Sequence, residues 1–512
     1  MKRRILAAMT LAAVIWLMGP QARADVKPHV LFSDGMVLQQ GVQCPIWGTA
    51  DPGEQVDVSY DVFKGFKRYG GGSAVEADKD GKWKVSLKIP AELAGGPYTL
   101  TIKGKNTITI KDVYVGEVWV CSGQSNMEWP LSRTANAEET IEKAKNSQIR
   151  LFTVAKRASD KPVHNPLGNP KWQACNPDTV KSFSAVAYFF GRELQKARNV
   201  PVGLIHTSWG GTRAEAWTSQ PVLEAHEEWK NESVNYHKAA EQYKEAVKKA
   251  KDEGKQPPRN ATNQNSPSAL YNGMIAPLIP YAIKGAIWYQ GESNAGKAYA
   301  YRKLFPTMIQ NWRDDWKQGD FPFLFVQLAP YKPIVTEPRE SDWAELREAQ
   351  LLTSLKLKNT GMAVITDVGD PKDIHPKKKE PVGARLALAA RGIAYGEKIE
   401  YSGPVYDKMT IKDGKAVLSF KHAGKGLEAK DGELTGFAIA GADKKFHNAK
   451  AQIQGDTVLV WSDDVKEPVA VRYGWADCPV VNLWNKDGLP ASPFRTDDYP
   501  MTTAPKAAAS AK

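Results

Sequence analysis

The chain has 512 residues, of which 42% are hydrophobic and 25% charged, which excludes a disordered or fibrous protein and leaves room for two or three domains. Its formal net charge of +12 is spread along the sequence, and no nucleic-acid motif accompanies the densest run, Lys377, Lys378 and Lys379, which reads as a solvated basic surface. Cys44, Cys121, Cys175 and Cys478 lack the spacing of a metal site, so a cysteine-held zinc is excluded and any disulfide pairing stays open.

Residues 1–24 read as an export signal: Lys2, Arg3 and Arg4, then an apolar run over 5–18, then the small-residue cleavage site Ala22-Arg23-Ala24. The mature chain then begins at Asp25, and losing those three cations and Arg23 takes the formal charge from +12 to about +8. The apolar run is short for a membrane span, and no cysteine follows the cleavage site to take a lipid. The expectation is a soluble protein exported to the periplasm or beyond, with no membrane insertion.

Residues 25–111 alternate short β-rich runs with turn signals and predict an N-terminal β-sandwich domain. Within them "DKDGKWKVSLKI" pairs an Asp-Gly turn with strict alternation, so Asp78 and Asp80 belong to a β-turn rather than a calcium loop. Over 112–400 the texture becomes strand, loop, helix, strand. Apolar strands are predicted at 114–121, 202–207, 282–289, 321–327 and 362–367. Helices are predicted at 136–146, 183–198, 301–316, 342–357 and 382–394. Near-continuous apolar strands alternating with helices mean a parallel sheet covered on both faces, with ligand sites at the carboxyl ends of its strands. A charged helical insertion occupies about 225–255. A second β domain follows at 401–500, and 501–512 reads as a disordered tail.

Four polar segments fall at the carboxyl ends of these strands: Gly123-Gln124-Ser125-Asn126, Ser208-Trp209-Gly210-Gly211-Thr212, Gln290-Gly291-Glu292-Ser293-Asn294, and the stretch from Asp370 through Asp373 to His375. A parallel sheet brings them to one rim. Acyl transfer needs a hydroxyl, a base of near-neutral pKa to take its proton, a carboxylate to orient that base, and donors facing the developing oxyanion. Ser125, His375, Asp373, the paired glycines and an amide side chain supply that set. Ser122 is a rival hydroxyl, and His206, inside an apolar strand, reads as a core histidine. No metal signature is present, and no cofactor is implied.

"GQSNMEWP", "SWGGT", "WYQGESN" and "DIHP" together resemble the blocks of the sialate O-acetylesterase family, a branch of the SGNH/GDSL hydrolases similar to bacterial acetylxylan esterases. The resemblance runs from about residue 113 to 394 and implies a three-layer α/β/α esterase domain flanked by β-sandwich-like domains. It implies Ser125 as nucleophile, His375 as general base and Asp373 as the orienting acid. The oxyanion hole would comprise the Ser125 N–H, Gly211 or its neighbour Gly210, and the Gln290 amide. The wider superfamily spaces its acid and histidine D-x-x-H, whereas this chain has D-x-H, so Asp370, Glu292 or a Ser-His dyad aided by a carbonyl stay open. Arg213, Glu292 and Asn294 are candidate substrate contacts, with an internal Arg–Glu ion pair the competing role for Arg213. The implied partner is an O-acetylated carbohydrate, foremost an acetylated sialic acid. Acetylated xylan or another polysaccharide is the alternative, and a non-catalytic carbohydrate-binding protein the second.

Overall fold

The structure, a computed structural model, describes residues 25–260 and 262–505; the expected export signal and residues 506–512 of the expected tail lie outside the described residues. Its organising element is a 17-residue strand, β1 (Thr107–Gly123), whose first six residues are mostly exposed or half-buried and whose last eleven are all buried. The two textures reflect two environments. The first half pairs antiparallel with Gly95–Lys103, in a β region with one solvated face. The last seven residues, "EVWVCSG", run beside two parallel neighbours inside the molecule. One strand thus spans residues 111 and 112, where the two expected domains meet, and its antiparallel register shifts between Ile110 and Val113, around Asp112. That residue takes a left-handed conformation (φ 56°), and Arg150 holds its carboxylate at 2.7 and 3.1 Å.

The remaining strands of the central sheet are β2 (Asn146–Thr153), β3 (Gln173–Cys175), β4 (Val202–Ser208), β5 (Gly285–Tyr289), β6 (Phe323–Val326) and β7 (Thr360–Ala363). Their order is β3-β2-β4-β1-β5-β6-β7, and every pair is parallel except β3 with β2. Strands β2 and β3 were not anticipated. The helix expected over 136–146 shrinks to Ala137–Glu142, and Ile149, Leu151 and Phe152 are buried as β2 pairs with β4. Partner strands remote in sequence decide such a segment, and local propensity does not.

The helices that position the site are α1 (Ser125–Glu128), α2 (Ala185–Arg198), α3 (Glu227–Asp252), α4 (Ala298–Trp316), α5 (Asp342–Lys356) and α6 (Glu380–Ala394). Register shows that they cover both faces of the sheet. Trp119 of β1 pairs with Gly285 of β5, so Trp119 and Trp288 point to opposite faces. Trp119 meets Phe190 of α2 edge-on, whereas Trp288 packs on Phe305 and Trp312 of α4. Gly383 of α6 lies against the backbone of Phe190, so α6 joins α2 on the first face. Ser184 and Ser341 cap α2 and α5, their hydroxyls accepting from Ala187 and Ala344 N–H at 3.1 and 3.0 Å.

The C-terminal region carries further antiparallel sheets, among them a four-stranded one containing Val405–Lys412, Lys415–Lys421, Thr457–Trp461 and Lys450–Gln454. It is bound tightly to α5. Buried Arg347 donates to the carbonyls of Ala476 and Asp477 at 2.7 and 2.8 Å. The Glu345 carboxylate accepts from the backbone N–H of both Thr502 and Thr503, at 2.6 and 3.1 Å. The tail expected from 501 is thus ordered through 505, because a buried carboxylate needs those donors. All four cysteines are buried free thiols, so none of the disulfides the expected compartment would permit is formed. Among the described residues no helix is long and apolar enough to cross a membrane.

Candidate active site

Strand β1 leads into the turn that carries Ser125. Gly123 has φ +140°, and a Cβ there would lie 2.2 Å from the Tyr289 carbonyl oxygen, so only glycine lets the two strand ends approach this closely. The chain then turns at Gln124, and Ser125 opens α1. Ser125 Oγ lies 2.9 Å from His375 Nε2, the separation of a hydrogen bond. His375 sits in the loop between β7 and α6. Its backbone N–H donates to Asp373 Oδ1 at 2.9 Å, and its Nδ1 is 3.5 Å from the same oxygen. The indole of Trp129 stacks on the imidazole at 5.0 Å with 17° between the planes. Burial lowers the pKa of His375, the Lys379 ammonium lowers it further, and Asp373 opposes both. The imidazole is therefore biased toward its neutral, proton-accepting form.

Both neighbours of Ser125 on α1 are tied down. Asn126 Nδ2 donates to Glu292 Oε1 at 2.6 Å and to the Ile374 carbonyl at 3.0 Å, while its Oδ1 accepts from Lys379 Nζ. Glu128 Oε2 accepts from Gly210 N–H at 2.7 Å, and its Oε1 is 2.5 Å from Lys156 Nζ. Neither Asn126 nor Lys379 was singled out in the sequence. Asn126 lies inside the serine block without a role, and Lys379 ends the run read as solvated. Lys379 is in fact 0% exposed. The spacing of Lys379 four residues beyond His375, at the start of α6, is the signal that averaging over three lysines conceals.

Several expected site residues take other positions. Gln290, 0% exposed, donates both amide hydrogens, to Thr212 O at 3.1 Å and Asn294 Oδ1 at 2.7 Å, and accepts from Tyr301 Oη at 2.9 Å. It has no donor left for an oxyanion, because burial of an amide demands these partners. Asn294 is likewise consumed: it accepts from Ala214 N–H at 3.0 Å and donates to Glu215 at 3.0 Å, lacing the glycine turn to the β5 turn. Arg213 does form an internal ion pair, but with Glu232 of α3 at 2.7 Å, and it also donates to Asn265 O. Glu292 faces Asn126 rather than His375, and its buried Oε2 has no partner. Burial raises the pKa of Glu292, against its bond from Asn126. Asp370 is occupied in its own turn, accepting from Lys372 N–H at 2.8 Å. Ser122 is fully buried, and burial pushes His206 down to about 4 beside Ser208 Oγ.

The glycines divide. The Gly210 N–H is taken by Glu128, whereas Gly211, at φ +71°, is exposed with its N–H unclaimed among the described residues. Among the described residues no group of three or more His, Cys, Asp or Glu could hold a metal ion. A cleft of about 1110 Å³ lies between residues 334–340 and the C-terminal strands, and contains none of Ser125, Asp373 or His375.

Residues 115–391 match the family model described as carbohydrate esterase, sialic acid-specific acetylesterase. The human sialate O-acetylesterase is 29% identical over 507 residues, covering 90% of this chain and 91% of that protein. The mouse sialate O-acetylesterase is 31% identical over 425 residues, covering 76% and 77%. A crystal structure described as that of a novel carbohydrate acetylesterase from Xanthomonas citri superposes with a TM-score of 0.80 at 42% identity, covering 93% of this chain and 100% of that one. The α/β architecture and these likenesses define an esterase hydrolase. The chain belongs to the sialic acid-specific acetylesterase family of carbohydrate esterases.

Proposed function

We propose that the chain is an exported serine esterase of the SGNH type, with a three-layer α/β/α domain between β-sandwich-like domains, that removes O-acetyl groups from sugars. The observation that carries this reading is the 2.9 Å approach of Ser125 Oγ to His375 Nε2 at the carboxyl ends of β1 and β7. His375 takes the Ser125 proton as Oγ attacks the acetyl carbonyl, and Asp373 orients the imidazole through its backbone N–H and Nδ1. The backbone N–H groups of Ser125 and Gly211 are the proposed oxyanion donors. His375 returns the proton to the departing sugar hydroxyl. Water then attacks the acetyl-serine with His375 again as base, releasing acetate and restoring Ser125. The acid limb of activity lies below the ordinary histidine pKa, since burial and Lys379 both favour the neutral imidazole that the reaction requires.

The substrate class is proposed as acetylated sialic acid, on the family likeness. One observation favours a neutral sugar: Arg213 is engaged by Glu232 and so is not free for a sugar carboxylate. The test is acetate release from O-acetylated sialic acid and from acetylated xylo-oligosaccharide, in parallel, across pH 5 to 9. Ser125→Ala should lose at least a thousandfold in kcat, and wild-type activity should fall on the acid side. A Ser125→Ala protein that still turns over sinks the serine mechanism, and activity level down to pH 5 sinks the histidine base. Release from one substrate alone names the class.

A further inference from the structure

Lys379 presents a physical puzzle. A lysine ammonium is strongly hydrated, and burying it is unfavourable unless charge and hydrogen bonds compensate. This one is 0% exposed, between the catalytic-loop residues and α1. It is the residue just before α6, and its side chain makes no capping hydrogen bond to that helix. The groups that face it come from every surrounding element. Asn126 Oδ1 of α1 accepts a hydrogen bond from its Nζ. The rings of Trp129, after α1, and Tyr289, of β5, lie 5.9 and 5.3 Å from Nζ. Glu292 from the β5 turn, and Asp373 and His375 from its own loop, are the charged or titratable groups in its field. Among the described residues it has no ion pair within 4.0 Å.

The Asn126 amide joins these elements. One of its sides holds Lys379, and the other holds both Glu292 and the carbonyl of Ile374, the residue before His375. Asn126 is also the residue after Ser125. One side chain thus ties the backbone next to the nucleophile to the backbone next to the base, and Lys379 fixes which way that amide points, since its ammonium can only donate. We propose that Asn126 and Lys379 are positioning residues for the Ser125–His375 pair. The chain Lys379–Asn126–Ile374 sets their approach, with the Lys379 ammonium buried beside the same loop. This rests on the serine-esterase reading above.

The charge is present where it matters. Burial pushes Lys379 down to about 7, with Glu292 and Asp373 opposing, so its charge is present on the acid side, where His375 titrates, and is lost as pH rises through that value. Trp129, stacked on the imidazole, favours the imidazolium, and Lys379 opposes it.

The experiment uses the full chain and 4-nitrophenyl acetate, with kcat/KM followed from pH 5 to 9 and thermal melts alongside. The variants are Lys379→Met, Lys379→Arg and Asn126→Ala, with Ser125→Ala as the control on the reaction itself. Lys379→Met keeps the length and removes the charge. It should lower plateau kcat/KM on the order of tenfold to a hundredfold, as misplacement of a reacting group does, and move the acid limb to higher pH. Lys379→Arg should return the limb toward the wild-type position even if the rate stays low. Asn126→Ala should lose a comparable factor in rate with the limb near its original pH, since Lys379 and its charge remain. A Lys379→Met protein that folds and keeps the wild-type limb overturns the electrostatic role. If Lys379→Met does not fold, Asn126→Ala decides: wild-type kcat with an unchanged melt overturns the positioning role, and a lost rate with an unchanged melt supports it. Turnover by Ser125→Ala would instead remove the esterase reading on which the inference rests.

Discussion

A methyl group at Gly210 would meet Ser125 Cβ at 3.1 Å and Glu128 Oε2 at 3.3 Å, tighter than ordinary contact. Glu128 cannot yield freely, because Gly210 N–H and Lys156 both hold it. The strain therefore falls on Ser125, the proposed nucleophile. Gly210→Ala should lower kcat on the order of tenfold to a hundredfold while the melting temperature changes little, which steady-state kinetics and a melt would resolve. Gln290 makes the opposite case. Its three hydrogen bonds are internal, so Gln290→Ala should destabilise the protein by about 2 kcal/mol or more through unsatisfied buried partners. Urea unfolding would read this. An oxyanion donor would instead lose a hundredfold or more in kcat at unchanged stability, and that result would return Gln290 to the catalytic set. The two residues lie in blocks of equal apparent importance in the sequence. Only their surroundings tell contact with the reacting atoms from support behind them.

Among the elements, β1 carries the most structure. It runs from a half-solvated antiparallel sheet into the centre of the parallel one and ends two residues before Ser125. Trp119, fully buried on it, packs on Phe190 of α2, and its indole N–H donates to Tyr395 Oη at 3.3 Å. Trp119→Ala should therefore cost about 3–5 kcal/mol, visible as a lowered denaturation midpoint. A loss below 1 kcal/mol would show that the neighbouring layers close over the cavity. The strand's inner half was legible because it is continuously apolar. Its outer half was legible as alternation. Their union was not, because the change of period at residue 112 marks a change of surroundings along one strand, which no local pattern shows. β2 escaped for a related reason: Asn146–Thr153 becomes a strand through β4 beside it, and that partner lies some fifty residues further along.

At the scale of the whole molecule, the C-terminal region is held to the esterase core by Arg347, Glu345 and the pair Arg495–Glu348 at 2.8 Å, rather than by a flexible linker. The cysteines add no covalent staple. Burial pushes the Cys44 and Cys175 thiols up to about 12, and Cys121 is raised as well, which keeps them protonated and unreactive. A thiol reagent should thus find almost none of these groups in the native protein and four after denaturation, with a melting temperature indifferent to reductant. Two titratable thiols in the denatured, unreduced protein would mean a disulfide had formed.

The amino-acid sequence by itself determined the chemistry available: a serine, a histidine with an acid two residues before it, and glycine turns at the ends of apolar strands. It did so because a parallel sheet has one rim where such loops can meet, and because side-chain chemistry is a local property. The tertiary structure alone decided which of those residues face one another. The amides of Gln290 and Asn294 point inward because burial demands partners, Arg213 turns to Glu232, and Lys379 leaves a basic run to lie beneath the serine. Such choices depend on neighbours brought together by folding, and no window along the chain contains them.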